Sequence, residues 1–306
     1  MLVRLLLKLN LALDTPNHRS LHTAPTPRTG GLGVLAGTLL GAVASVGIAR
    51  PEIWIALALA LISFIDDRFD LPIALRLIAQ LAAAGGFVWI SALWIGVVPA
   101  LLMVIGLVWM TNLYNFMDGA DGLAGGMAVF GFGAYAIAGA LQGGGDVALI
   151  SLSVASAAAG FLLFNFPPAR IFMGDVGSIP LGFLAGALGL LGWRDGIWPA
   201  VFPVIVFAPF IVDATVTLIK RGLRGQAVWR AHREHYYQRV ILCGWSHRRT
   251  ALVEYALMGT CAAVGLFFVF AKPAVSATMI VLLGVTLVTL MAMVDRLWQL
   301  RPPVKS

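Results

Sequence analysis

Ten apolar runs, separated by short polar or glycine-containing segments, constrain this chain more than any other feature. All but the short run at 52–65 approach the roughly 20 residues that a helix needs to cross a bilayer. The runs lie at 31–49, 52–65, 73–92, 96–113, 122–141, 147–166, 177–193, 197–219, 250–270 and 274–294. Only 11% of the 306 residues are charged, whereas a soluble domain has about a quarter.

Residues 1–13 are also apolar but short, and Arg4 and Lys8 interrupt them. We expect a shortened first span, as a start site chosen downstream of the natural one would leave. The pattern therefore predicts an all-α polytopic bundle of about 10–11 transmembrane helices, with residues 1–306 forming a single integral-membrane domain.

Basic residues concentrate in alternate loops. Loops 14–30, 66–72, 114–121, 167–176 and 220–249 and the C-terminal tail fall on one side, whereas the turns on the other side carry only Arg50, Arg194 and Lys272. By the positive-inside rule, the basic side is cytoplasmic. The same side gathers all five histidines and the aspartates Asp66, Asp67, Asp70, Asp118, Asp121 and Asp175. We therefore predict that the cytoplasmic face is the working face, and the net charge of +7 indicates topology and contact with anionic lipid or phosphate, with no nucleic-acid binding.

The richest polar stretch runs N-L-Y-N-F-M-D-G-A-D-G-L-A-G-G over residues 112–126. Asn112 and Asn115 are three apart, as are Asp118 and Asp121, so a helical turn would place each pair on one face. The glycines allow the backbone to approach a ligand closely. Taken alone, the stretch also fits a loop with Asx turns and a helix cap.

Two adjacent carboxylates, Asp66 and Asp67, end the second run. They repel each other unless a cation or proton lies between them, and a helix C-terminus disfavours negative charge. This costly placement suggests a function, with Arg76 in the next run available for a phosphate. The alternative is local neutralisation by Arg68 beside Asp70.

Asp175 stands between glycines at the edge of another apolar run. A carboxylate near the bilayer centre costs roughly 2.5–3.5 kcal/mol, so we expect Asp175 to face water, a metal or a partner. Asp213 also lies inside a run, and we expect it to pair with Lys220.

The loop at 220–249 contains the sequence H-R-E-H-Y-Y-Q-R. His232 and His235 could begin a zinc site, but no further Cys or His completes one at metal-site spacing. The loop is otherwise an anion-binding arm or a solvated basic loop on an anionic leaflet.

Together the loops offer carboxylates and a carboxamide, the hard oxygen ligands that suit Mg²⁺ or Mn²⁺, beside basic groups that suit phosphates. This combination is typical of phosphoryl transfer. Its position at a membrane surface suggests a lipid as one substrate.

Five motifs in order resemble the polyprenyl-phosphate N-acetylhexosamine-1-phosphate transferases, the MraY/WecA-like family (glycosyltransferase family 4). They are D-x-P-N-x-R-S-x-H with P-T-P-R-x-G-G, then F-I-D-D, N-x-x-N-x-x-D-G-x-D-G-L-A, F-N-F-P-P-A-R-I-F-M-G-D-x-G-S and the H-R-E-H-Y-Y-Q-R arm. The short length and the arm look most like the O-antigen-initiating branch. One departure is Tyr236 with Tyr237, where relatives often carry further histidines.

The resemblance implies transfer of a sugar phosphate from a UDP-N-acetylhexosamine to undecaprenyl phosphate, with release of UMP. It implies an active site on the cytoplasmic face of a bacterial inner membrane, in contact with membrane lipids. The resemblance does not decide whether the protein forms a homodimer. By position in the motifs, the implied catalytic residues are Asp66, Asp67 and Asp175. Mg²⁺, or Mn²⁺ in its place, would be held on the diphosphate by Asn115 and Asp175. The implied substrate-binding residues are Arg76, Asp118, Asp121, Asn165, Phe172, Arg233 and His235.

Within these sets, the resemblance places the lipid phosphate at Asp66 and Asp67, with Asp67 the residue that deprotonates or orients it. It places the uridine at Asp121, Asn165 and Phe172, and it closes Arg233 and His235 over the sugar and diphosphate. The alternative class is a cation- or proton-coupled transporter, which would place charges near the bilayer midplane in two repeated halves. The acids instead lie toward one face, and the sequence shows no internal repeat.

Overall fold

A computed structural model describes residues 13–14, 26–230, 232–270 and 273–300. Within these ranges, a two-stranded antiparallel pair precedes twelve helices. The strands are β1 (Leu13–Asp14) and β2 (Thr26–Pro27). The helices are α1 (Gly30–Val46), α2 (Pro51–Phe69), α3 (Ile73–Ile90), α4 (Val97–Phe116), α5 (Leu123–Leu141), α6 (Gly145–Asn165), α7 (Asp175–Arg194), α8 (Val201–Val206), α9 (Ala208–Leu223), α10 (Tyr236–Leu242), α11 (His247–Phe270) and α12 (Pro273–Gln299).

The expectation of an all-α polytopic membrane protein is confirmed. Among the described residues, seven helices are long and apolar enough to cross a membrane, namely α3 to α7, α11 and α12. Helix α1 is apolar but shorter, and α2 carries the acidic pair at its end. The expected first span at 1–13 lies almost wholly outside the described residues.

The run at 197–219 is not one continuous helix. It divides at Phe207 into α8 and α9. Pro209 in the first turn of α9 lacks an N–H, and its ring would clash with the carbonyl of Ile205 in a continuous helix. The expected span at 197–219 therefore consists of two helices and not of one.

Helix α7 lies at the centre of the bundle, and 83% of its most apolar stretch is buried. A Cβ on Gly182 would lie 2.6 Å from the carbonyl oxygen of Met110, so only glycine allows α7 to approach α4 this closely. This approach brings the end of α4 beside the beginning of α7.

The segment that leads into α1 is tied to the loop before α7. Phe172 donates its N–H to Pro27 O at 2.7 Å and accepts the Gly30 N–H at 2.8 Å, and Gly31 donates to Met173 O at 3.0 Å. These bonds place Arg28, between β2 and α1, next to Gly174, whose added Cβ would lie 3.1 Å from Arg28 O.

Candidate active site

Asn115 and Asp175 meet where α4 ends and α7 begins. Asn115 Nδ2 lies 3.4 Å from Asp175 Oδ2, and Ser178 Oγ donates to Asn115 Oδ1 at 2.7 Å. Gly174 turns the chain into α7 with φ at 72°, a conformation that glycine adopts readily. The helix N-terminus favours negative charge on Asp175. The structure thus brings together the two residues that we expect to hold a metal.

Further charges surround this pair. Arg28, Asp66 and Arg76 are electrostatic neighbours of Asp175, and Asp67 lies within range of Asp175 and Arg28. Asp118 accepts a hydrogen bond from the Gly174 N–H. Burial and the nearby Asp175 raise the pKa of Asp118 well above its usual range, although Arg28 opposes the shift. Carboxylates from α2, α7 and the α4–α5 loop therefore share one site with a guanidinium.

The adjacent carboxylates at the end of α2 have different environments. Asp66 is 8% exposed and accepts hydrogen bonds from Arg76 Nη1 at 2.9 Å and from the Leu71 N–H at 2.8 Å. Asp67 is exposed, and no hydrogen bond to its side chain is found in the described ranges. Asp66 therefore positions Arg76, whereas Asp67 is available to a substrate.

Asp121 lies in the loop between α4 and α5 and joins two other segments. Its Oδ2 accepts the Ala169 N–H at 3.0 Å, and its Oδ1 lies 3.3 Å from His247 Nδ1 at the start of α11. This arrangement fixes the carboxylate at the rim of the site.

Asn165 holds the neighbouring loops together. It is buried, its Oδ1 accepts the Gly122 N–H at 2.9 Å, and its Nδ2 donates to Ile171 O at 2.9 Å. Phe172 comes directly after Ile171 in the chain, and its side chain is half-buried. Contacts of these residues and of Asp121 with a uridine stay predictions.

The arm, residues 232–239, includes the start of α10 and packs against the end of α4. His235 is 3% exposed, lies 3.2 Å from Asp213 through Nδ1, and stacks against Phe116 and Tyr237. Arg233 is half-buried, and its side chain has no hydrogen bond or ion pair among the described residues. Arg233 is thus the freer of the two for a ligand, and contact of His235 with a substrate stays a prediction.

The expected pairing of Asp213 with Lys220 was wrong. Seven residues along a helix span about 10.5 Å, too far for direct contact. Asp213 instead accepts the N–H groups of Tyr236 at 2.9 Å and Tyr237 at 3.1 Å, at the start of α10. Lys220 donates to Asp295 on α12 at 2.6 Å and to the Tyr236 hydroxyl at 2.6 Å.

Asp295 is the second anchor of the arm. Besides Lys220, it accepts a hydrogen bond from Arg239 Nη1 at 2.8 Å, and Arg239 is 2% exposed. Tyr237 completes the attachment by donating its hydroxyl to Phe116 O at 3.0 Å. The two tyrosines that depart from the family pattern therefore anchor the arm.

His232 lies near His235, but burial, His235 and Arg221 lower its pKa to about 4, so it is neutral at pH 7. Within the described ranges, no three His, Cys, Asp or Glu side chains could together hold a metal ion. A cation at Asn115 and Asp175 would therefore need oxygen atoms from the substrate or from water.

Three residues of the site were not selected from the sequence: Arg28, Ser178 and His247. Arg28 and Ser178 stand in two of the motifs quoted above, so a signal was present. His247 had no signal beyond its side of the membrane, because its partner Asp121 lies 126 residues away.

The fold and this site define an integral-membrane protein with an acidic, phosphate-suited centre at one end of its bundle. A family model described as glycosyl transferase family 4 matches residues 52–192. A probable undecaprenyl-phosphate N-acetylglucosaminyl 1-phosphate transferase of Bacillus subtilis is 33% identical over 80% of this chain and 74% of that protein.

Two further relatives agree. The decaprenyl-phosphate N-acetylglucosaminephosphotransferase of Mycolicibacterium smegmatis is 31% identical over 92% of this chain and 82% of its own length. A phospho-N-acetylmuramoyl-pentapeptide-transferase of Anoxybacillus flavithermus is 34% identical over 56% of this chain and 52% of its own. The chain belongs to glycosyl transferase family 4, as the motifs indicated, whereas its place in the O-antigen branch stays a prediction.

Proposed function

We propose that this protein transfers an N-acetylhexosamine-1-phosphate from a UDP-sugar to undecaprenyl phosphate, releases UMP and so starts an O-antigen or similar envelope glycan. The relatives named above support the class of reaction. The observation that carries the proposal is the convergence of Asn115 and Asp175 with Asp67, Asp118 and Arg28. Together with a divalent cation, such a set can hold and orient a diphosphate.

The donor atoms fit Mg²⁺, with Mn²⁺ as the alternative ion. Asp175 supplies a carboxylate. Asn115 beside it faces Asp175 with Nδ2 and accepts the Ser178 hydroxyl with Oδ1, so its amide would rotate to offer the oxygen to an ion. Mg²⁺ takes one or two such ligands together with waters and substrate phosphates. When bound, the ion would neutralise negative charge on the diphosphate oxygens. Arg28 would add a fixed positive charge nearby.

We assign Asp67 to the phosphate of the lipid substrate. It would deprotonate or orient the lipid phosphate, one oxygen of which attacks the phosphorus attached to the sugar. A new P–O bond forms, the P–O bond to UMP breaks, and UMP leaves with that electron pair. Release of UMP without lipid phosphate would instead indicate a covalent enzyme intermediate.

We assign the tail of the lipid substrate to an apolar cavity. It has a volume of about 510 Å³ and lies between α4, α7, α8 and α9. Its α4 wall runs from Ile95, just before the helix, to Leu113, or about 27 Å at 1.5 Å per residue, close to the roughly 30 Å of a bilayer core. The cavity ends two residues from Asn115, so a tail within it would present its phosphate near the acidic site.

The water-soluble substrate would enter from the opposite direction. Asp121, Asn165 and Phe172 form the rim that we assign to the uridine, and the arm with Arg233 and His235 lies across α4. The basic residues of the loops on this side support a position of the rim on the cytoplasmic face of the inner membrane.

The test is release of UMP from UDP-N-acetylglucosamine by the purified protein with undecaprenyl phosphate, with and without Mg²⁺. Cleavage that requires both the lipid and the ion is expected. A transporter would move the nucleotide sugar into vesicles without cleaving it, and that result would refute the proposal. Asp213 and Asp175, which prompted the transporter alternative, both contribute to the site at one end of the bundle.

A further inference from the structure

The opposite end of the bundle holds a polar cavity that the proposed reaction does not use. It has a volume of about 420 Å³ and lies where the end of α7 and the α5–α6 turn meet the start of α2. Its size lies within the range of about 300–1,000 Å³ found for small-molecule sites. Its charged lining consists of Arg50, Glu52, Asp146, Arg194 and Asp195.

Glu52 is the unusual member of this lining. Its side chain is 2% exposed, and its Oε1 has no hydrogen-bond partner within the described residues. The other four charges pair with one another: Arg50 with Asp146, and Arg194 with Asp195 through two bonds of 2.6 and 2.9 Å.

A buried carboxylate oxygen without a partner is unfavourable, so Glu52 favours a ligand with N–H or O–H donors or a positive charge. Two positive and three negative side chains line the cavity, which leaves a net charge of −1. The lining therefore suits a single cationic group.

The depth of the cavity indicates the source of that group. Trp54 follows Glu52 by two residues, or about 3 Å along the helix, and is 50% exposed. Trp89 and Trp94, on neighbouring segments, are also exposed. Exposed tryptophans at the ends of membrane helices lie at the level of the lipid headgroups. A headgroup is thus the cation-bearing group at this depth.

We propose that this cavity binds the ammonium group of an aminophospholipid such as phosphatidylethanolamine. The ammonium donates its N–H bonds to Glu52, and the lipid phosphate faces Arg50 at the rim, where exposure makes the Arg50–Asp146 pair weak and exchangeable. A choline headgroup carries the same charge but no N–H donor, so it cannot satisfy Glu52.

The experiment offers the purified protein an equal mixture of phosphatidylethanolamine and phosphatidylcholine with identical acyl chains and measures the retained lipids by native mass spectrometry. We expect about a tenfold preference for phosphatidylethanolamine, the effect of one charge-assisted hydrogen bond. Glu52→Met removes both acceptor oxygens and should abolish the preference. Glu254→Met, the same change on α11 away from the cavity, should retain it.

Equal retention of the two lipids by the wild-type protein would overturn the proposal, and that comparison needs no variant to fold. Loss of the preference in both variants would do the same. Equal displacement of the lipid by millimolar ethanolamine and by millimolar choline would also overturn recognition of the N–H donors. The measurement does not involve sugar transfer, so it stands or falls independently of the proposed reaction.

Discussion

Neutralising each of the two carboxylates at the end of α2 should affect stability and turnover differently. Asp66 accepts hydrogen bonds from Arg76 and from the Leu71 N–H, whereas Asp67 is exposed. Asp66→Asn and Asp67→Asn make the same chemical change one residue apart, so each is the matched control of the other.

Asp66→Asn leaves an oxygen for the Leu71 N–H but removes the charge that faces Arg76. A hydrogen bond to a charged group contributes about 1.5–3 kcal/mol. Since Arg76 is 37% exposed, solvent screening moves the expected loss in unfolding free energy toward the lower end of that range.

Asp67→Asn removes no hydrogen bond within the described residues and relieves repulsion from Asp66 and Asp175. We therefore expect its unfolding free energy to change by less than about 0.5 kcal/mol. If Asp67 deprotonates the lipid phosphate, turnover should fall by about 100- to 10,000-fold. Because its action is on the lipid, binding of the UDP-sugar should be almost unchanged.

The assay combines thermal unfolding in detergent, calorimetric binding of the UDP-sugar and release of UMP at constant Mg²⁺. The melting temperature of Asp66→Asn should be lower than that of the wild type. Asp67→Asn should have the melting temperature of the wild type but a far lower turnover rate. Turnover of Asp67→Asn within fivefold of wild type would refute its role. Loss of nucleotide binding in this variant, as severe as in Asp121→Ala, would show that the carboxylates act as one metal cluster.

Four other predictions follow from the site. Asp175→Asn should abolish turnover and leave the melting temperature within a few degrees, because an amide keeps the shape but loses the charge that a divalent ion needs; activity within a few-fold of wild type would contradict this. Asp121→Ala should weaken UDP-sugar binding by about 1–3 kcal/mol through a lost acceptor, measured by calorimetry, and unchanged affinity would argue against a uridine contact. Asp295→Asn should raise the KM for the UDP-sugar more than it lowers kcat, because Lys220 and buried Arg239 lose the charge that anchors the arm; an unchanged KM would leave Asp295 a purely structural role. Cysteines placed at position 224, which is exposed, and at position 301 should resist impermeant labelling from outside intact cells, and labelling there would contradict the predicted topology.

Much of the fold was readable from local pattern. Apolar runs near the length of a bilayer crossing must form helices, because each backbone N–H and C=O needs a partner inside the lipid. The hydropathy pattern did not predict the break at Phe207, because the run is equally apolar with or without it. The break depends on the clash between the ring of Pro209 and the carbonyl of Ile205, which hydropathy does not report.

Much of the site also came from residue type. Carboxylates and carboxamides are rare in apolar chains, so Asn115 and Asp175 were recognisable although 60 residues separate them. Motif order then predicted that they belong to one reaction, since the family likeness covers most of the chain.

Only the tertiary structure decided how like residues differ. Asp66 and Asp67 are identical in type, but Asp66 is buried and bonded to Arg76, whereas Asp67 is exposed. Asp213 binds the start of α10 and not Lys220, because the rise of the helix separates the acid from the base that the sequence had paired with it. Burial and partner choice depend on which helices pack together, and that packing places Asp66 and Glu52 inside while it leaves Asp67 at the surface.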